Sequence, residues 1–236
     1  MAREHAVIFE QELRIPTDAF TLEGFQEWAE SEEFPETGRI DFLAGDVEVE
    51  MSPEDLYTHA VVKTAIAARL SNLIVDQDRG EVYIDRTRVV SRKAGLSAEP
   101  DVVVALWESF ETGRVRCSKS SMEGGSSALH GAPDVIVEIV SQGSVRKDTQ
   151  VLPPRYAQAG VAELWLADAR GDELRFSILT LRECQYATVE PDGEGWLRSP
   201  RLEGSFRLLR HPARLGHLRY VLEHREAVEF RKADPQ

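Results

Sequence analysis

Asp101 and Glu138 each stand where a buried strand should be apolar. Asp101 opens the run Asp101-Val-Val-Val-Ala-Leu106, just after Pro100, and Glu138 interrupts Val135-Ile-Val-Glu138-Ile-Val140. An ionised carboxylate in such a run is unfavourable unless a cation, a hydrogen-bond network or a metal ion compensates. Either acid alone reads equally as half of a structural ion pair, and Asp101 also as a turn-closing residue. Two such acids on strands that could be neighbours make a divalent-metal site, with chemistry suited to hydrolysis. That chemistry also wants a cation to stabilise developing phosphoryl charge. Lys147, in Ser141-Gln-Gly-Ser-Val-Arg-Lys147-Asp148 just past the Glu138 strand, is the candidate. His59 shares a helix face with Lys63 four residues on, and could be a ligand, a phosphate contact or a base. Asp41 and Glu50 are weaker candidates, because they lie in a generally acidic segment. Trp165 and Tyr156 read as core residues.

The elements that must position these groups can be read from periodicity. Phe20, Leu22, Phe25 and Trp28 recur at helical spacing, with Thr21 a candidate cap. Residues 39–51 read as a hairpin turning at Ala44-Gly45-Asp46. Ser52-Pro53-Glu54-Asp55 reads as a helix start, with Ser52 as cap and the helix running to about Asp76. Glu81 to Ser91 reads as one strand, followed by the Asp101 strand. Residues 107–132 are loop-like and expected to be a flexible insertion. Asp148 to Gly160 reads as a short helix ended by glycine. Strands are expected at 161–167, 173–181, 184–190 and 205–210. The order implies α/β or α+β: a mixed sheet flanked by helices, with additional C-terminal strands. The domain reading is an N-terminal helical extension over 1–34, one domain over 35–222 and a tail over 223–236.

The formal charge is −13 over 236 residues. Residues 1–60 carry 16 acidic and 3 basic side chains, and the remainder is balanced. An acidic chain is a poor nonspecific nucleic-acid binder, but a neutral body can still carry local basic patches. No apolar run is long enough to span a membrane, and no signal-peptide pattern opens the chain. Two cysteines without metal spacing fit a reducing, cytoplasmic setting. There is no phosphate-cradling loop, dinucleotide fingerprint or nucleophile elbow.

Asp41-Phe-Leu-Ala-Gly45-Asp-Val-Glu-Val-Glu-Met51-Ser-Pro53, His59, Pro100-Asp101-Val-Val and Pro133-Asp-Val-Ile-Val-Glu138-Ile-Val-Ser141 occur in that order. Asp148 and Tyr156-Ala-Gln-Ala-Gly160-Val-Ala-Glu-Leu-Trp165-Leu-Ala-Asp168 follow. Over about residues 35 to 210 the chain resembles the Uma-two family of restriction-endonuclease-like proteins, within the PD-(D/E)XK nuclease superfamily. The resemblance implies a restriction-endonuclease-like core and Mg²⁺- or Mn²⁺-dependent hydrolysis of DNA phosphodiesters. Asp101 and Glu138 match its metal-binding acids. The motif lysine expected two residues after the second acid is here Val140. The family's alternative lysine, four residues before the tyrosine, is here Leu152, followed by Pro153-Pro154. Lys147 is then expected to supply the cation. The competing expectation is a catalytically inactive nuclease-fold binding or regulatory protein. A homodimer using the later strands is also expected.

Overall fold

The computed structural model describes residues 13–118 and 128–226. Helix α1 (Leu22–Ala29) is capped by Thr21, whose hydroxyl accepts from Gly24 N–H, as its sequence implies. The hairpin of β1 (Arg39–Leu43) and β2 (Asp46–Glu50) turns through Ala44 and Gly45, both at positive φ. Next comes α2 (Val61–Ile74), entered through a π-helical turn over Leu56–Ala60. The cap is Asp55, not Ser52: its carboxylate accepts from Tyr57 and Thr58 N–H. Ser52, Pro53 and Glu54 are therefore left outside the helix, against the sequence expectation.

The run Glu81 to Ser91 is two strands, β3 (Gly80–Ile84) and β4 (Arg88–Ser91), separated at Asp85 and Arg86, which both take positive φ. β5 (Leu96–Ala98) and β6 (Val102–Leu106) follow. Within 107–132, α3 (Trp107–Glu111), β7 (Val115–Cys117) and β8 (Ala128–Gly131) are regular elements. The remainder of that expected insertion, 119–127, lies outside the described residues. β9 (Val135–Ile139) leads to α4 (Leu152–Ala159), entered through a second π-helical turn over Lys147–Val151. There Leu152 N–H reaches Lys147 O, five residues back. The prolines at 153 and 154 occupy the first turn of α4, where missing donors are tolerated. Gly160, at φ 96°, ends the helix as its sequence implies. The chain finishes through β10 (Glu163–Asp168), β11 (Arg175–Arg182), β12 (Gln185–Thr188), β13 (Leu197–Ser199), β14 (Gly204–Pro212) and β15 (Leu218–Glu226). β15 thus runs into the segment expected to be a tail.

The strands form three sheets. The first has order β2-β1-β5-β4-β8-β7, the second β12-β11-β10-β9-β6-β3, and the third β13-β14-β15. Both six-stranded sheets are mixed; in the second, β9 pairs parallel with β10 and antiparallel with β6. On one face of the second sheet, Val62, Ile66, Leu70 and Ile74 of α2 bury Val102, Val104, Val135 and Val137. Full burial of each such side chain is worth roughly 1.5–3 kcal/mol. The third sheet extends this core with Phe206, Leu208 and Leu222. On the opposite face, Ile136 and Leu164 pack with Leu152 and Tyr156 of α4 and with Leu43 and Leu96 of the first sheet. Helix α1 covers the outer face of the first sheet, placing Phe25 and Trp28 on Ile40 and Phe42. Strand alternation therefore sends Arg39, Asp41 and Leu43 the other way, into the seam between the two large sheets. Among the described residues no helix is long and apolar enough to cross a membrane.

Candidate active site

The pairing of β6 with β9 matches Val102 with Val137 and Val103 with Ile136. Extending that register by one residue sets Asp101 opposite Glu138. Opposed residues in an antiparallel pair project to the same face. Both acids are fully buried in the seam. Ile139 N–H donates to Asp101 Oδ2 at 2.7 Å, closing the ladder beyond the last regular pair.

Asp101 is densely partnered. Arg39 Nη2 donates to its Oδ1 at 2.6 Å, and His59 Nε2 lies 3.4 Å from its Oδ2. Burial alone would raise this carboxyl. His59, Arg39 and the Ile139 amide outweigh it and hold the group well below the usual carboxylate range. Glu138 is the opposite case. Tyr156 Oη donates to its Oε1 at 2.6 Å, while Oε2 is buried without a hydrogen-bond partner. Burial, then the charges of Asp148 and Asp101, push Glu138 far above its ordinary value. Asp148, in the second π turn, accepts from the Ser144 hydroxyl, and its Oδ1 is also buried and unpartnered. Burial pushes Asp148 up to about 6, with Asp101 adding to the rise.

His59 lies in the first π turn, buried between two acids. Its Nδ1 is 3.3 Å from Glu54 Oε2. Burial would lower the imidazole, but Asp101 and Glu54 raise it overall. One ligand atom from each of Glu54, His59 and Asp101 falls within 4.8 Å of the others. Lys63 binds Glu54 at 2.8 Å and Asp85 at 2.6 Å.

The seam thus brings Asp101, Glu138 and His59 together. Lys147 lies near enough to Glu138 to feel its charge, while its direct partners are other acids. It is buried, and its Nζ donates to Asp41 at 3.1 Å and Glu50 at 3.4 Å. Burial opposes its charge, but Asp41 and Glu138 nearby raise it overall. The cation in contact with Asp101 is Arg39, which sequence reasoning did not single out. Tyr156 fills the core as expected and also carries the hydrogen bond to Glu138. Signals for both existed: Arg39 shares strand parity with Asp41, and Tyr156 lies in the quoted motif.

The chain matches, over residues 22–210, the model of the Uma2 family, described as "Putative restriction endonuclease". The chain belongs to the Uma2 family. No match was found among curated proteins. A crystal structure described as a putative nuclease belonging to DUF820, from Anabaena variabilis, has a similar fold, with a TM-score of 0.56. It is 18% identical, and the match covers 77% of this chain and 90% of that one. The Uma2 membership and this neighbour together establish a nuclease-like mixed fold.

The donor set of this Uma2 protein fits a hard divalent cation. Glu138 Oε2 and Asp148 Oδ1 are buried oxygens lacking any donor, and their carboxyls are raised first by burial and then by neighbouring negative charge. A divalent cation there would relieve both conditions.

Proposed function

We propose that this protein is a metal-dependent endonuclease that hydrolyses DNA phosphodiester bonds. The observation that carries the reading is the pairing of Asp101 opposite Glu138 in a buried seam, with one Glu138 oxygen left without a donor. Asp101 and Glu138 would hold Mg²⁺ or Mn²⁺ through carboxylate oxygens. A bound ion of this kind activates water and stabilises negative charge on oxygen. Tyr156 fixes the Glu138 rotamer, and the Ile139 amide fixes Asp101. His59, whose imidazole is raised overall by Asp101 and Glu54, would serve as a metal ligand, a phosphate contact or a general base beside this pair. Lys147, paired with Asp41 and Glu50 beside this set, would supply the cation of the site in place of the missing motif lysine.

The test is cleavage of DNA by the purified protein with Mg²⁺ or Mn²⁺, against Asp101→Ala and Glu138→Ala. Cleavage that survives in both variants defeats the assignment.

A second reading is a nuclease-fold binding or regulatory protein without catalysis. It is favoured by the buried, apolar Val140 and Leu152, which stand where the resemblance implies the superfamily's lysine and the family's alternative one. Metal affinity unchanged by Glu138→Ala, measured calorimetrically, would support it. The cytoplasm remains the proposed location, and the proposed assembly is a homodimer through the C-terminal strands. Light scattering showing a monomer at working concentration would remove the latter.

A further inference from the structure

Beside the seam lies a cavity of about 440 Å³, whose walls include Arg39, His59, Lys63 and Arg86. Four carboxylates, Glu50, Glu54, Asp85 and Glu99, also line it. Three other cations pair with these four acids. Lys147 lies 3.4 Å from Glu50, Lys63 serves Glu54 and Asp85, and Arg88 binds Glu99. Arg39 and Arg86 make no direct ion pair with any of these four acids among the described residues, although Glu99 feels the charge of both.

Those two arginines differ from the other guanidinium groups of the interior. Arg88 spends its donors on Ile40 O, Ser97 and Glu99. Arg201 contacts Asp134, Glu108 and Ser109. Arg39 makes a single side-chain hydrogen bond among the described residues, from Nη2 to Asp101. A guanidinium has five N–H donors, so most of Arg39's fork is uncommitted, although its side chain is only 20% exposed. These N–H groups are not sealed from solvent, so they are available to an anion that enters the cavity. Arg86 lies at the break between β3 and β4, exposed on the cavity wall and without any ion pair among the described residues.

We propose that Arg39 and Arg86 form an anion subsite that receives a phosphate group of a phosphodiester, with Arg39 holding Asp101 by one N–H while its remaining donors meet phosphoryl oxygen. Arginine's planar fork suits this task. The proposal rests on the nuclease reading for its natural ligand.

The probe is inorganic phosphate, titrated into metal-free protein containing chelator and read by ³¹P line broadening. A dinucleotide with one phosphodiester serves as the second probe. Saturable binding is expected for the unmodified protein, with about tenfold weaker binding in Arg39→Ala and a smaller loss in Arg39→Lys, which keeps the charge. Arg39→Ala strips a buried partner from Asp101 and so perturbs folding, and Arg86→Ala, at an exposed position, provides an independent arm. A several-fold loss is expected there with unchanged circular dichroism. Phosphate binding equal to the unmodified protein in both Arg39→Lys and Arg86→Ala overturns the subsite. DNA cleavage that needs Asp101 and Glu138, together with unaltered phosphate binding in the arginine variants, defeats the subsite and leaves the nuclease reading standing. Arginine-dependent phosphate binding without cleavage under any divalent metal does the reverse.

Discussion

The phenol of Tyr156 donates to Glu138 Oε1 at 2.6 Å from a fully buried position one helix away from the strand it serves. This bond is the sole hydrogen bond to the Glu138 side chain among the described residues. Tyr156→Phe removes it while keeping the ring, leaving a buried carboxyl with no donor. The expected cost is about 1–3 kcal/mol. Urea unfolding should show it as a lower midpoint at unchanged slope. A midpoint equal to the unmodified protein would mean Glu138 has another partner in solution.

Asp148 gives the metal-free protein a pH-dependent stability. An unfolded aspartate titrates near 3.9, while the folded group is pushed up to about 6 by burial and the nearby Asp101. Between these values the folded chain holds more protons than the unfolded one, so stability falls as pH rises from about 4 to about 6. Glu138, also raised, carries the decline further. Asp101 is depressed and works oppositely, losing its contribution only as pH falls below its unfolded value. Calorimetry of metal-free protein should therefore find Tm highest near the acidic end of this window and lower at neutral pH. Asp148→Asn should flatten the decline. An identical pH slope in that variant would refute the assignment.

Lys147 should also behave as a brace. Lys147→Met retains the buried stem and leaves Asp41 without its cation in the seam. Breaking a buried pair by removing one partner costs about 3–5 kcal/mol. The variant should lose stability on that scale and bind phosphate as the unmodified protein does. Normal stability with lost phosphate binding would instead leave Lys147 with the cation role alone.

Leu215 sits at the tip of the β14–β15 hairpin with φ 57° and 96% of its surface exposed. A left-handed leucine is strained by roughly 1–2 kcal/mol, and no burial offsets it. Leu215→Gly removes the strain and adds unfolded-chain entropy, for an expected net gain of about 0.5 kcal/mol. A lower thermal midpoint would show that the leucine side chain is held by something in solution.

Much of the frame was legible because it is local. The hairpin at 39–51, the Thr21 cap and the Gly160 stop follow from short-range backbone preferences. That Asp101 and Glu138 stand in buried strands was legible from two apolar runs; that those strands pair is given by the register of the structure. The partners of the charged groups were not legible. Lys147 and Asp41 are 106 residues apart, and no periodicity reports which cation a buried acid will meet. Arg39 stood at the start of a hairpin in an acidic stretch, where its inward parity had no visible purpose. The Glu81 to Ser91 run looked continuous because two residues at positive φ leave little trace when neither is glycine.

Two helices begin with a widened turn, and each such turn holds a residue of the seam: His59 in one, Asp148 in the other. A π turn carries one residue more than the α-helical repeat requires. Removing one residue from either turn would let the helix run on undisturbed, but would swing the side chains upstream of the deletion by about 100° relative to those downstream. The helical face that packs the core and the residue that faces the cavity are therefore phased independently, and a single-residue insertion suffices to create that offset. In this protein the placement of an imidazole and a carboxyl depends on chain length, counted residue by residue, as much as on side-chain identity.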